Sequence, residues 1–222
     1  MDIPAERRQH MTKIELAYEM ILHARDILKV PFKWVNFDSF YGRDQVFLYQ
    51  LGQQQITFVG DVPKDATIYL KKPMVYLPNK KNKKGRKFTR YQVKGKSTKV
   101  QKVMTTLKDR DFKKLSIRIN KEGIPIKTSY YVRTVYLAIK EKGAVMEVKL
   151  LIRKDEDGTI RYALSNDLKA SMHRLAFMHS QRYFIERSFL ELKQQLGLDK
   201  STFSKTSLDN FEKMFIEINK IF

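Results

Sequence analysis

The chain has 222 residues and a formal net charge of +20, because 44 lysines and arginines outnumber 24 acidic residues. An excess of this size indicates a polyanionic partner, either nucleic acid or an anionic membrane surface. No apolar run approaches the roughly 18 residues of a membrane span, and the first residues lack the apolar core of a signal peptide. The absence of cysteine excludes disulfides, zinc ribbons and thiol catalysis. We expect a cytoplasmic, nucleoid-associated protein without a membrane partner, with a ribosomal or chromatin-type basic protein as the alternative.

The first predicted elements alternate between helix and strand. Apolar residues recur at helical spacing over residues 12–29, which predicts an amphipathic helix. Residues 34–38 then favour a short strand, residues 45–51 a helix and residues 56–60 a second strand. This alternation is typical of an α/β layer.

A strongly basic segment follows at residues 71–102, which contain no aspartate or glutamate. Tyr76, Phe88 and Tyr91 are interleaved with its cations. Lysines can neutralise phosphates and aromatic rings can stack on unpaired bases, so the segment predicts contact with DNA. The alternative is a solvated, mobile loop without a dedicated partner. The densest part, the basic cluster, consists of Lys80, Lys81, Lys83, Lys84, Arg86 and Lys87.

The rest of the chain changes from strands to helix. Alternating residues with turn signals between them predict an antiparallel meander over residues 115–164. Tyr130, Tyr131 and Tyr136 are expected to pack on a face of this sheet. Residues 167–198 predict a return to helix. None of the histidines has metal-ligand spacing, so we expect structural or surface roles for His10, His23, His173 and His179.

Two carboxylates could carry chemistry. Asp38 ends the strand at residues 34–38, and ligands of α/β sheets gather at the carboxyl ends of strands. Its alternative role is to begin a turn or to cap the next helix. Glu186 shares a predicted helix face with Arg182 and Lys193, so it could bind a metal beside a phosphate. The alternative there is a solvated ion pair between Arg182 and Glu186.

These segments resemble a known family. Residues 34–44 (Trp-Val-Asn-Phe-Asp-Ser-Phe-Tyr-Gly-Arg-Asp) are similar to the second-aspartate segment of DDE-type insertion-sequence transposases, and residues 56–63 continue the similarity. Residues 162–167 resemble the strand that precedes the third-acid helix of that family, and residues 182–199 resemble the helix itself. The most similar branch carries the signature Tyr-x2-Arg-x3-Glu-x6-Lys. Its last three positions fall on Arg182, Glu186 and Lys193, whereas the tyrosine position is His179.

The resemblance implies an α/β fold, with an incomplete RNase H-like layer and a β-rich antiparallel insertion between the second aspartate and the glutamate helix. Residues 1–65 would form part of the RNase H-like core. Residues 66–164 would be the basic and β-rich insertion, residues 165–199 the glutamate helix, and residues 200–222 a divergent tail.

The chemistry implied by the resemblance is cleavage and strand transfer of DNA at insertion-sequence ends. Two Mg²⁺ or Mn²⁺ ions would activate the attacking oxygen and stabilise the leaving oxygen. Asp38 and Glu186 would ligate these ions, and Arg182 and Lys193 would hold the DNA backbone. The family implies a possible homo-oligomer on DNA and no small-molecule cofactor.

One catalytic aspartate of the family has no counterpart in the sequence. Asp2 lies in no strand context and Asp26 lies in a predicted helix, so neither matches the first aspartate. We therefore expect a truncated copy that is inactive alone, with its first strand at a sheet edge. One alternative is a non-catalytic basic DNA-binding remnant that interferes with an intact transposase. Another is an unrelated RNA-binding protein.

Overall fold

The computed structural model describes residues 11–78, 88–119 and 125–183, together with Arg187 and Leu190. The chain divides into two compact units. Met1–Phe32 and Arg187–Phe222 form the first unit, and Lys33–Glu186 form the second. Among the residues whose placement is described, no helix is both long enough and apolar enough to cross a membrane.

The described part of the first unit is dominated by helix α1, Lys13–Asp26. Thr12 and Glu15 begin it with a reciprocal capping box, in which each side chain accepts a hydrogen bond from the backbone of the other. The helix ends three residues before the predicted boundary at residue 29. Lys29 adopts a positive φ of 53°, which an α-helix cannot contain, and the Val30 amide donates to the carbonyl of Ala24.

The second unit contains a mixed sheet flanked by helices. Among its described residues, eight strands form one sheet and two strands form a separate hairpin. The strands of the large sheet are β1 Val35–Phe37, β2 Phe58–Asp61, β3 Thr67–Tyr69, β6 Ser97–Lys99, β7 Lys113–Ile119, β8 Pro125–Ile139, β9 Ala144–Lys154 and β10 Ile160–Ser165. The hairpin consists of β4 Met74–Tyr76 and β5 Gln92–Lys94. The helices are α2 Ser39–Gly42, α3 Gln45–Gln53, α4 Val100–Met104 and α5 Met172–Ser180.

The order across the large sheet is β1-β2-β10-β9-β8-β3-β6, with β7 paired to β8. Strands β1 and β2 are parallel, and the other described pairs are antiparallel. The predicted antiparallel meander is confirmed, because β7, β8, β9 and β10 pair consecutively. Within the described residues β1 is an edge strand, as expected from the sequence.

The two faces of the sheet bury different helices. On one face, Val59, Leu151 and Ala163 pack against Leu175 and Met178 of α5. On the opposite face, Phe37 packs against Phe47 of α3 and against Phe58, with ring centroids 5.4 Å and 5.6 Å apart. Both faces of β2 are therefore covered, and all four of its residues are buried.

The predicted start of the last helix at residue 167 is wrong. Residues 167–170 form a turn in which the Asp167 carboxylate accepts from the Ala170 amide at 3.0 Å. Helix α5 begins at Met172, because the Ser171 side chain caps it by accepting from the Arg174 amide. The side chains of Asp167 and Ser171 thus bind backbone amides, and a non-helical turn stands where the first turn of the helix was predicted.

Candidate functional site

The site is the sheet edge at which β1 and β2 end. Because these strands are parallel, their carboxyl ends lie side by side, and Phe37 pairs with Gly60 in the last register position. Asp38 follows Phe37, and Asp61 follows Gly60. Asn36 pairs with Val59 two residues earlier, so strand alternation assigns both aspartates to the face that α5 covers.

Asp38 is exposed and caps α2. Its carboxylate accepts a hydrogen bond of 2.8 Å from the Phe40 amide. The capping role considered from the sequence is therefore present. A cap uses one oxygen of the carboxylate for the backbone, and a metal-binding role for Asp38 stays a prediction.

Asp61 is buried and has two charged or polar partners from the end of α5. Its Oδ1 lies 2.7 Å from Nε2 of His179, and its Oδ2 accepts a hydrogen bond from Arg182. Because a carboxylate only accepts, Nε2 of His179 carries the hydrogen of this contact. Nδ1 of the same ring lies 3.3 Å from the hydroxyl of Tyr130. The four side chains form one continuous polar network at the C-terminal end of α5.

The network shifts the ionisation of its members. Burial by itself would raise the pKa of Asp61, but the hydrogen bond from His179 and the charges of His179 and Arg182 together hold the pKa below its ordinary value. Burial raises the pKa of Tyr130 to about 12, so its hydroxyl keeps its hydrogen at neutral pH. Asp61 is therefore ionised, and it acts as the anionic centre of the network.

Two more arginines border the network. Arg153 of β9 pairs in register with Arg161 of β10, and both side chains share the face of Asp61. Asp155 contacts both, at 2.5 Å from Arg153 and 3.8 Å from Arg161. A recess of about 90 Å³ is lined by Arg153, Arg161, Arg182, Asp61, His179, Ser180, Ile117 and Tyr183. A neighbouring cleft of about 380 Å³ includes Ser39, Asp61, Lys64 and Arg161.

This arrangement is better suited to an anion than to a metal ion. Around the recess, three guanidinium groups accompany the two carboxylates of Asp61 and Asp155. Within residues 11–78, 88–119 and 125–183, no three histidine, aspartate or glutamate side chains cluster closely enough to hold a metal. Both oxygens of Asp61 are engaged by cationic or hydrogen-bonding groups. The described residues therefore do not form a metal site by themselves.

The sequence-predicted residues divide into two groups. Asp38 and Arg182 belong to the described structure, at the strand edge and at the Asp61 network respectively. The others lie outside the described residues: Glu186, Lys193, Lys80, Lys81, Lys83, Lys84, Arg86 and Lys87. The flanks of the basic cluster are described, and they expose Tyr76, Phe88 and Tyr91.

Several functional candidates were missed by sequence reasoning. Asp61 ends its strand just as Asp38 does, and this shared position was the available signal. His179 was assigned a structural or surface role, and Tyr130 was expected only to pack on a sheet face. Both are buried, and both belong to the Asp61 network. Their partners are distant in sequence, and the available signal was that His179 occupies the tyrosine position of the signature that also contains Arg182.

The first part of the chain matches a known protein family. The model of the family described as DDE superfamily endonuclease matches residues 1–123, which is more than half of the chain. The matched range includes β1, β2 and both aspartates of the strand edge. No curated protein matches the chain.

The match and the fold agree. The mixed α/β architecture, with its mostly antiparallel sheet, is consistent with the RNase H-like fold of DDE nucleases. Proteins of this family act on DNA and generally depend on divalent metal ions. The chain therefore belongs to the DDE superfamily endonucleases, and its function is that of a transposase-like nuclease.

Proposed function

We propose that this chain derives from the transposase of a bacterial insertion sequence, and that DNA binds at the edge formed by the carboxyl ends of β1 and β2. The observation that carries the proposal is the pair of aspartates, Asp38 and Asp61, at the ends of two adjacent parallel strands. Ligand sites of α/β sheets lie outside such strand ends. The family match covers both strands.

The roles of the two aspartates differ in this proposal. Asp38 is exposed and would be a metal ligand together with Glu186, because Mg²⁺ prefers oxygen ligands. Bound Mg²⁺ would supply activation of a water or 3′-hydroxyl for phosphodiester cleavage. Asp61 is less suited to bind a metal, since its two oxygens already accept hydrogen bonds from Arg182 and His179. Its role is to fix the position of Arg182.

The cations would hold the DNA. Arg182 and Lys193 would contact the backbone next to the scissile phosphate, and the basic cluster would extend the contact along the strand. In this arrangement residues 66–164 act as the DNA-contacting insertion between the core segment 1–65 and the helical segment 165–199. Most of strand β10 belongs to this insertion, and the strand pairs directly with β2, so the insertion reaches the strand edge.

A second candidate function is a DNA-binding remnant without catalysis, which would interfere with an intact transposase by occupying its DNA ends. One observation favours it: Asp26, one of the two aspartates before Asp38, lies in helix α1 and is paired with Arg25 at 2.6 Å, so it does not end a strand.

A plasmid-nicking assay in Mn²⁺ or Mg²⁺ separates these functions. The purified chain is compared with Asp38→Asn, Glu186→Gln and the control Asp109→Asn, whose exposed carboxylate contacts only the side chain of Lys154 among described groups. Nicking that is lost in the first two variants and kept in the control supports the nuclease. Binding of DNA without nicking in any protein supports the remnant. Failure to bind DNA, or a preference for RNA, contradicts both.

A further inference from the structure

The register between β9 and β10 places two arginines directly opposite each other. Arg153 pairs with Arg161, and Tyr130 of β8 lies in the same cross-strand row beyond Arg153. Like charges directly opposite on one face of a sheet are unfavourable unless an anion accompanies them. The row lies at the same sheet edge as Asp61, because β10 begins where β2 ends.

The carboxylate of Asp155 lies between these two arginines but is closer to one of them. Asp155 contacts Arg153 at 2.5 Å but Arg161 at 3.8 Å. The Arg161 side chain is 50% exposed, whereas that of Arg153 is 21% exposed. Asp155 thus holds Arg153 closely, whereas half of the Arg161 side chain stays exposed to solvent.

We propose that Arg161, positioned beside Arg153, forms a phosphate-binding subsite for a DNA strand, separate from the phosphate contact assigned to Arg182. The inference rests on the proposed function, in which DNA crosses this edge. A guanidinium offers paired N–H donors that match two phosphate oxygens, and this geometry makes arginine the preferred residue for phosphate recognition. The recess and the cleft that Arg161 lines both include Asp61, so the bound phosphodiester would lie next to the strand edge.

A purely structural role for the pair makes a different prediction. If Arg161 only neutralised the Asp155 turn, its removal would affect stability and leave DNA binding unchanged. If it contacts a phosphate, its removal must weaken binding and reduce the number of counterions released. Each phosphate contact on duplex DNA contributes about 0.9 to the slope of log affinity against log salt concentration.

The test is a fluorescence anisotropy titration of the full chain with a short DNA duplex, repeated over a salt series. The variant is Arg161→Gln. The matched control is Arg133→Gln on β8, because Arg133 is exposed and pairs with Leu150, which places it on the opposite face of the same sheet. Thermal melts of both variants verify that they fold.

We expect Arg161→Gln to weaken binding about fivefold at low salt and to lower the salt slope by about 0.9. The ratio of the DNA affinity of the unchanged chain to that of Arg161→Gln should fall by about threefold between roughly 50 and 200 mM salt. Arg133→Gln should keep the original slope. Equal slopes for the two variants would overturn the subsite while leaving the proposed function intact. A wild-type chain that binds no DNA would overturn both.

A second pair of variants tests the carboxylate that competes with DNA for these arginines. Asp155→Asn releases both guanidiniums, whereas Asp157→Asn removes an equal charge from the same turn, at a residue that bonds to Thr159 instead. Binding should tighten about threefold more in Asp155→Asn than in Asp157→Asn, since only the first change frees the phosphate donors. An equal gain of DNA affinity in the two variants would show that only the net surface charge matters, and it would contradict the proposal.

Discussion

At the scale of single residues, Asp61 is the group on which the site depends. Its carboxylate accepts from Arg182 and His179 at once, and an amide could accept at only one of its two ends. Asp61→Asn should therefore lower the free energy of unfolding by about 1–3 kcal/mol, because it removes the charge and one of the two accepting oxygens of a buried group. Urea unfolding measures the change. The exposed Asp65→Asn is the control and should stay within about 0.5 kcal/mol of the unchanged chain.

The stabilisation by Asp61 should depend on pH. Its folded pKa is lower than the ordinary value of 3.8, so its contribution is complete above that value and is lost as the pH falls through the folded pKa. The stability difference between the unchanged chain and Asp61→Asn should therefore shrink in acid. Unfolding curves collected from about pH 6 down to about pH 3 test this. A difference that stays constant over this range would show that Asp61 is not the titrating group.

The buried hydroxyl of Tyr130 should make the stability of the protein depend on pH in the alkaline range. Its pKa is raised from 10.0 to about 12 by burial, so the stability it confers is complete below pH 10.0 and is lost as the pH rises towards the folded value. Tyr130→Phe removes the ionising hydroxyl, and the variant should lose less stability than the unchanged chain over this alkaline interval. At neutral pH it should cost about 1 kcal/mol for the lost contact with His179.

At the scale of elements, the packing of β1 on β2 requires glycine at position 60. A Cβ there would lie 1.8 Å from the ring of Phe37, which is confined by Phe47 and Phe58. Gly60→Ala should destabilise the unit by about 1–3 kcal/mol through overpacking. Gly52→Ala in α3 is the control, since its Cβ meets only the flexible end of Met146 within 3 Å and alanine favours the helix. An equal loss in both variants would contradict this account.

Local patterns predicted some elements well and others poorly. Alternating residues and glycine turns predicted β7 to β10, because the period of a half-buried strand is visible in a short window. The start of α5 was missed, because Asp167 and Ser171 satisfy backbone amides in a turn rather than in a helix. Short strands such as β3 and β6 depend on pairing with each other, which no window of sequence reveals.

Only those residues of the candidate site that belong to a short, recognisable sequence pattern could be predicted. Asp38 follows a recognisable strand, and Arg182 belongs to a spaced motif of the resembling family. The Asp61 network was not predictable, since its contacts with His179 and Arg182 join residues 118 and 121 positions apart. Contacts of this range depend on the order of strands in the sheet, which the sequence pattern did not supply.

At the scale of the whole molecule, the charge of +20 predicts binding to DNA that is strongly sensitive to salt. The contribution of the basic cluster can be separated from this general charge. Changing Lys80, Lys81, Lys83 and Lys84 together to glutamine should lower the salt slope by up to about 3.6. A control with four exposed lysines from other parts of the chain changed, Lys13, Lys127, Lys140 and Lys142, should lower it less. Equal salt slopes for the two quadruple variants would contradict a special role of the basic cluster in DNA binding.

The hydrogen bond from Asn36 to the carbonyl of Met178 spans 142 positions, and it has a consequence for how the protein folds. During synthesis, β1 emerges long before the residues that cover its face. A fold with pairings of such separation forms slowly, because the entropy of closing large loops is lost before the contacts compensate for it. The edge at the carboxyl ends of β1 and β2 should therefore be the last part of the unit to mature. A nascent chain stopped before α5 should still be open to proteolysis at β1 and β2.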